Sequence, residues 1–464
     1  MAVISIVSKK ELECGTRIDA EYYRPEYAKL EEILLASNPL PLKKLVKSIK
    51  SFGAYSLMNQ VTYQEKGIPF LRAIDIKEGY ADFSNVVRIT KDAHKLLWKS
   101  EIKPRNVLLA MSGSVGNSCV ASDKWKYPIN SSQDLAKITV ADIINPYLLS
   151  TFLNSKYGRF QTQRLPVGSI QQHVFLWQIG LIKVPLLTNI QEYIACLVQN
   201  SETKLQESEN LYFQAEQILL SELGLHSWKP RHTLTYVRSF SQVAKASRMD
   251  AEHFHPKYKE MFDRLPSNVY LQLLGKITLY TKGIEVGSSA YTESGIPFLR
   301  VSNLSKHGIV DDTVNFISNE LYNVLREKYE PQQGEILLSK DATPGIAYFL
   351  DESVQGIIAS GILRLSLIED IPPYYLELVL NSIFVQLQIE QSVGGSIIKH
   401  WKPSQVQKTW IPRLLADREK EISALVQQSH AARREAKTLL EKAKRAVEIA
   451  IEYGEQQAMD FLCK

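Results

Sequence analysis

The sequence predicts an α+β protein. Two similar globular domains are separated by an antiparallel two-helix coiled coil, with an internal pseudo-two-fold duplication. Three observations predict this. Short strings recur once, in one order, at an offset of 227 to 231 residues. Within each half, short apolar runs bounded by Gly, Pro, Ser and Asp alternate with segments of helical spacing. Each half closes on a proline followed by a long stretch free of Gly and Pro.

The duplication is read in chain order. Arg17-Ile-Asp-Ala-Glu-Tyr-Tyr-Arg-Pro25 returns as Arg248-Met-Asp-Ala-Glu-His-Phe-His-Pro256, and Gly67-Ile-Pro-Phe-Leu-Arg72 returns letter for letter at Gly295 to Arg300. Val107–Gly116 answers Ile336–Gly345, and Leu153-Asn-Ser155 answers Leu380-Asn-Ser382. Gly168-Ser-Ile170 answers Gly395-Ser-Ile397, and Pro185 answers Pro412. The period is far too long for a solenoid, so each half is expected to be a domain. The expected boundaries are 1–187 for the first domain with an N-terminal arm, 188–224 for the first long helix, 225–413 for the second domain, 414–455 for the second long helix and 456–464 for a tail. Val107–Leu109 and Ile336–Leu338 read as strands; Tyr147–Phe160 and Tyr374–Gln391 read as helices.

The long stretches carry one-sided apolar spacing. In Ile190–Leu223 the seam is Ile190, Ile194, Leu197, Ser201, Ser208, Leu211, Ala215 and Ile218, broken at Lys204. In the second stretch it is Ile422, Leu425, Ser429, Ala432, Ala436, Leu439, Ala443, Ala446 and Ala450. Ile190–Leu223 holds six Glu and one Lys, a net of −5; Asp417–Tyr453 holds eight Lys/Arg and seven Asp/Glu, a net of +1. Self-pairing of the acidic helix repels, so the two unlike helices are expected to pair. The alternative is that each packs only on its own domain. Equivalent elements about a two-fold axis run antiparallel. Glu209-Asn-Leu-Tyr-Phe-Gln214-Ala215 resembles the recognition site of a viral cysteine protease used to remove tags. It fits the seam, and coincidence is the preferred reading.

Composition excludes little. Hydrophobic content of 45% and charged content of 23% are ordinary, and a net charge of +5 implies no polyanionic partner by itself. Cys14, Cys119, Cys196 and Cys463 form no CxxC, which fits a reducing cytoplasm better than a disulfide framework. The first residues lack a basic n-region and a long apolar core, and no run approaches 18 apolar residues, so no membrane role is expected.

Catalytic signatures are missing. There is no GxGxxG, GxxxxGK[ST] or HExxH. Ile371-Pro-Pro-Tyr374 has the outline of an amino-methyltransferase signature, but Ile371 cannot accept the hydrogen bond that chemistry needs; Asn145-Pro-Tyr147 lacks the second proline. Ser112-Gly-Ser-Val-Gly116 diverges to Asp341-Ala-Thr-Pro-Gly345, which suits a specificity element rather than shared catalysis. Polar candidates for phosphates and base edges are Arg72, Ser112, Ser114, Asn117, Ser131, Gln133, Arg164, Ser169, Gln171, Gln172 and His173 in the first half. In the second they are Arg300, Lys340, Thr343, Ser396, Lys399 and His400. An ordinary polar loop is the competing reading. No metal site is expected.

Taken together, these ordered repeats resemble the specificity subunit of type I restriction–modification systems, over nearly 450 residues. The chain departs from that family at Arg105-Asn106, where Gly-Asp is usual; Gly334-Glu335 is closer. The resemblance implies a non-catalytic subunit whose two recognition domains each read one part of a split double-stranded DNA target. It implies two modification (methyltransferase) subunits carrying S-adenosylmethionine, and restriction (translocase/nuclease) subunits using ATP and Mg. This chain itself is expected to bind no cofactor. The helix pair would be spacer and docking platform. The competing functions are a self-sufficient DNA methyltransferase or restriction enzyme, and a two-domain protein scaffold that does not use DNA.

Overall fold

A computed structural model describes residues 6–7, 12, 19–20, 22–51, 61–165, 173–231, 233–310, 314–393 and 399–463. The candidates Ser169, Gln171, Gln172 and Ser396 lie outside them, as does most of the N-terminal arm. The chain divides into two compact units, residues 1–204 with 434–464 and residues 205–433. Among the described residues no helix is long and apolar enough to cross a membrane.

In unit 1 a four-stranded antiparallel sheet has the order Val46–Lys50, Leu135–Val140, Val107–Ala110, Ser118–Val120. A second sheet centres on Ile68–Leu71, which runs parallel to Ile129–Ser131. Helices Pro146–Asn154 and Lys156–Arg164 close the first sheet around Leu149, Phe152, Tyr157 and Ile138. Unit 2 repeats this plan. Its sheet order is Thr278–Lys282, Ile362–Leu367, Ile336–Ser339, Ala347–Phe349, and Ile296–Leu299 runs parallel to Ile357–Ile358 in the second sheet. Helices Pro373–Asn381 and Ile383–Ser392 occupy the matching place.

The repeated letters have physical causes. Gly67 and Gly295 sit at φ +149° and +145°, and a Cβ at either would come within 2.3 Å of a neighbouring carbonyl oxygen, Ile89 or Ile317. Only glycine allows that approach. The Leu-Asn-Ser repeat is an amide clamp. Asn154 accepts from Ser118 N and donates to Ser118 O (3.0 and 2.7 Å); Asn381 does the same at Ala347 (3.1 and 2.8 Å). Both tie the C-terminal end of the first helix of the pair to the sheet's edge strand. A second clamp joins Gln161 to Lys183 and Gln388 to Trp410, again through both backbone groups.

The two long helices, Gln191–Glu222 and Ala416–Tyr453, are antiparallel partners within each unit. In unit 1 Asn189 N donates to Glu455 Oε2 (2.6 Å) and Ser201 Oγ to Ala436 O (3.0 Å). In unit 2 Ser429 Oγ donates to Ser208 O (2.7 Å), and Arg418 reaches Glu222 at 3.2 Å. Ser201 and Ser429 are equivalent by the repeat, and each donates to the carbonyl opposite it. The buried stripe of the first helix runs Ile194, Val198, Ser201, half-buried Leu205, Ser208, Tyr212, Ala215, Leu219. That is an unbroken 4-3 alternation, so the break at Lys204 disappears. The expected seam residues Leu197, Leu211 and Ile218 are half-buried at its flank, while Ile194 and Ala215 lie in it. In the second helix Ile422, Ala432 and Ala446 are buried, and Leu425 and Leu439 half-buried. Lys204 instead pairs with Glu435 at 3.0 Å. The protease-like string lies inside the helix with Tyr212 and Ala215 buried. Beyond Gly454 (φ +94°) a short helix, Glu455–Leu462, follows where a tail was expected.

The Arg105-Asn106 turn keeps the geometry of its counterpart. Arg105 takes φ +65° where Gly334 takes +92°. Their amides donate to Ala121 O (2.8 Å) and Leu350 O (2.7 Å). Asn106 Oδ1 accepts from Lys103 N as Glu335 Oε2 does from Gln332 N. What differs is the charge beyond the turn. Glu335 pairs with Arg364 through two bonds of 2.6 and 2.9 Å, both side chains being buried. Lys137, the repeat's counterpart of Arg364, is buried and bonds Ser131 Oγ at 2.9 Å; burial pushes its ammonium down to about 8. Asn106→Asp puts a carboxylate where the repeat has Glu335. We expect unit 1 to gain about 1–3 kcal/mol at pH 7, read as a higher midpoint in urea unfolding. No gain would mean that Lys137 cannot reach the turn.

Candidate nucleic-acid interface

In both units a short two-stranded crossing joins the turn after the third sheet strand to the residue that follows the Gly-Ser-Ile string. In unit 1 Ser112 bridges His173, flanked by Met111 N to Asp134 O and Val174 N to Met111 O, both 2.9 Å. His173 Nδ1 stands 3.7 Å from Asp134 Oδ1. In unit 2 Asp341–Ala342 pairs antiparallel with Lys399–His400. His400 Nδ1 lies 2.9 Å from Asp341 Oδ1, and Lys340 Nζ bonds Asp341 Oδ2. Burial opposes the Asp341 charge, but Lys340 and His400 outweigh it and hold the carboxyl below its ordinary value. Ala342 takes φ +58°, a strained conformation for a residue with a Cβ.

The structure therefore brings together Ser112, Ser114 and His173 in one unit, and Lys340, Thr343, Lys399 and His400 in the other. Thr343, Lys399 and His400 are exposed; Ser114 is half-buried in the turn whose Asn117 N donates to Ser114 O. Near His173, Ser132 Oγ and Gln133 Oε1 are buried and make no hydrogen bond among the described residues. Buried polar atoms are rarely left so, and such atoms suit a ligand or water. Ser132 belongs to the polar set Ser131, Ser132 and Gln133 that the sequence offers.

Other candidates are engaged inside their units. Arg72 forks onto Asp75 at 3.2 and 3.0 Å and opens a short turn, as Arg300 does through its backbone N to Asn303 Oδ1 (3.0 Å). Asn117 donates to Ile76 O (3.0 Å) and accepts from Arg159 (2.5 Å). Ser131 Oγ donates to Ser100 O (2.9 Å). Arg164 lies over the Tyr22 and Phe160 rings and bonds Glu31 at 2.8 Å, with Lys183 on the other oxygen at 2.6 Å. Although burial raises the Glu31 carboxyl, these two cations bring it down to about 2. Among the described residues no group of three or more His, Cys, Asp or Glu side chains is arranged to hold a metal ion.

No family model matches the chain, and no curated protein matches it. Solved structures do. The S subunit of a type I restriction–modification system from M. genitalium is similar over 91% of this chain and 95% of its own, at 11% identity and a TM-score of 0.35. The HsdS subunit from Thermoanaerobacter tengcongensis is similar over 89% and 96%, at 13% identity and a TM-score of 0.28. A chain from a structure of type I restriction–modification complex assembly and conformational transition is similar over 90% and 97%, at 15% identity and a TM-score of 0.28.

Proposed function

We propose that this chain is the DNA-specificity subunit of a type I restriction–modification complex. Each unit reads one part of a bipartite double-stranded target, and the paired helices fix the spacing and dock two modification subunits. The observation that carries this reading is the duplication of one α+β plan whose equivalent crossings present different chemistry: Ser112, Ser114 and His173 against Lys340, Asp341, Thr343, Lys399 and His400. Hydroxyl, amide, ammonium and imidazole groups are those that meet base edges and phosphates. A shared frame with unlike side chains suits two different half-targets. Methyl transfer and cleavage belong to partners carrying S-adenosylmethionine, ATP and Mg, and this chain positions them.

Removing one heptad from each long helix tests the spacer. It shortens the pair by roughly 10 Å, about 3 bp at 3.4 Å per step. Methylation mapping of a host carrying the variant should return the same half-targets with a correspondingly shorter gap. An unchanged gap rejects the spacer.

A further inference from the structure

The two crossings share a pairing that the repeat does not copy residue for residue. Their backbones are equivalent: Met111 N and Lys340 N donate to Asp134 O and Gly361 O, and Val174 N and Trp401 N donate to Met111 O and Lys340 O. This matches His173 to His400, Ser112 to Asp341 and Asp134 to Gly361. In both units the histidine Nδ1 faces a carboxylate, yet the acid comes from different positions. Asp134 stands 3.7 Å from His173 Nδ1, whereas Asp341 lies 2.9 Å from His400 Nδ1. The exchange has a steric cause. A Cβ at Gly361 would come within 2.8 Å of Val301 Cγ2 and 3.6 Å of Asp341 Cβ. Unit 2 has no room for an acid there, and the facing position supplies it.

The fold does not require this pairing. An ion pair on an exposed crossing adds little stability, and the same backbone bonds hold the crossing in both units. What the two acids share is their effect on the imidazole. A carboxylate only accepts, so in a neutral ring the proton sits on Nδ1 and Nε2 keeps its lone pair. The other Asp341 oxygen is taken by Lys340, so this carboxylate supports the ring and is not itself a reader. The His173 and His400 side chains are 27% and 61% exposed. An exposed lone pair finds no complement on a phosphate, which offers acceptors alone. On DNA its complements are the exocyclic amines of the bases.

We infer that His400 reads a base of unit 2's half-target, its Nε2 accepting a hydrogen bond from an exocyclic amine, with Asp341 as the positioning residue. This rests on the proposed function. The test uses the full chain with its modification subunit, in binding titrations on duplexes carrying the target that methylation mapping returns. Each adenine, cytosine and guanine of both half-targets is replaced in turn by purine, 2-pyrimidinone or hypoxanthine, which lack the amine. At the position read, wild type should lose affinity about 10-fold. His400→Phe keeps a ring without an acceptor. It should bind the natural duplex about 10-fold more weakly than wild type and lose nothing further at that position, while paying as wild type does at every other. Asp341→Asn keeps an acceptor for Nδ1 and should retain the discrimination; Asp341→Ala should weaken it at that position alone. If His400→Phe pays as much as wild type for every deleted amine, the ring reads no amine and the inference is overturned while the function stands. A change confined to duplexes with 7-deazaguanine overturns it too, since the ring would then be a donor. Mapping that returns no bipartite target overturns the function first and the inference with it.

Discussion

His430→Ala is expected to destabilise unit 2 by about 3–5 kcal/mol, the usual cost of emptying a large, fully buried ring site. His430 Nε2 stands 3.1 Å from Glu377 Oε1, and both side chains are almost wholly buried. The imidazole is stacked on Tyr348 at 5.2 Å and meets the edge of Tyr374 at 5.6 Å. Glu377 Oε2 accepts from Phe349 N at 2.9 Å, so the carboxyl also holds the sheet's edge strand. Burial raises the Glu377 carboxyl, with His430 and the Phe349 amide opposing. Alanine leaves a void beside Glu377 Oε1, while Oε2 keeps Phe349 N. His430→Leu/Glu377→Gln fills the void, keeps an acceptor for Phe349 N and leaves no acid in the core, and should recover all but about 2 kcal/mol. Calorimetry on the single and double variants decides the point. A single variant within about 1 kcal/mol of wild type would mean that the pair does not seat unit 2 on its helix.

Glu202→Gln is expected to act in the opposite direction, increasingly as pH rises from about 4.5 to about 7. The offset of 228 that relates Ile194 to Ile422 and Ser201 to Ser429 relates Glu202 to His430. In unit 1 this position faces Ser122, whose Oγ donates to Glu202 Oε2 at 3.0 Å. Burial raises the Glu202 carboxyl to about 7, more than Ser122 and Lys124 lower it. A carboxyl raised above its unfolded value of 4.5 binds its proton more tightly in the fold. Its stabilisation is therefore complete below that value and lost as pH rises through about 7. At pH 8 the loss amounts to up to about 3 kcal/mol. Glutamine is neutral at every pH and keeps the acceptor for Ser122. Urea titrations should show Glu202→Gln more stable by about 1–3 kcal/mol at pH 8, little changed near pH 5, with the difference growing between. An equal gain at both pH values would point to packing rather than ionisation.

These two sites show where the sequence was legible and where it was not. The repeat was visible because it copies backbone demands: the close carbonyl at Gly67 and Gly295, and the amide clamps of Asn154 and Asn381. The helix pairing followed from spacing and charge. Its register slipped by one residue at alternate steps, because Leu197, Leu211 and Ile218 sit beside Val198, Tyr212 and Leu219, and an apolar count cannot rank neighbours. The candidate interface was legible as a pair of loops and not as a set of contacts. Polar letters do not reveal whether a group is already spent, as Arg72 is on Asp75 and Arg164 on Glu31. Glu202 and His430 escaped notice because their environments come from distant segments, residues 122 and 377.

The central claim is that each unit reads its own part of a split DNA target. Replacing residues 40–185 by those of a relative with a different target, and sequencing the methylome of a host carrying the chimera with its modification partner, tests it most directly. The account predicts a bipartite motif in which one half changes while the other half and the gap stay as they were. A change in both halves, or a continuous motif, would contradict it.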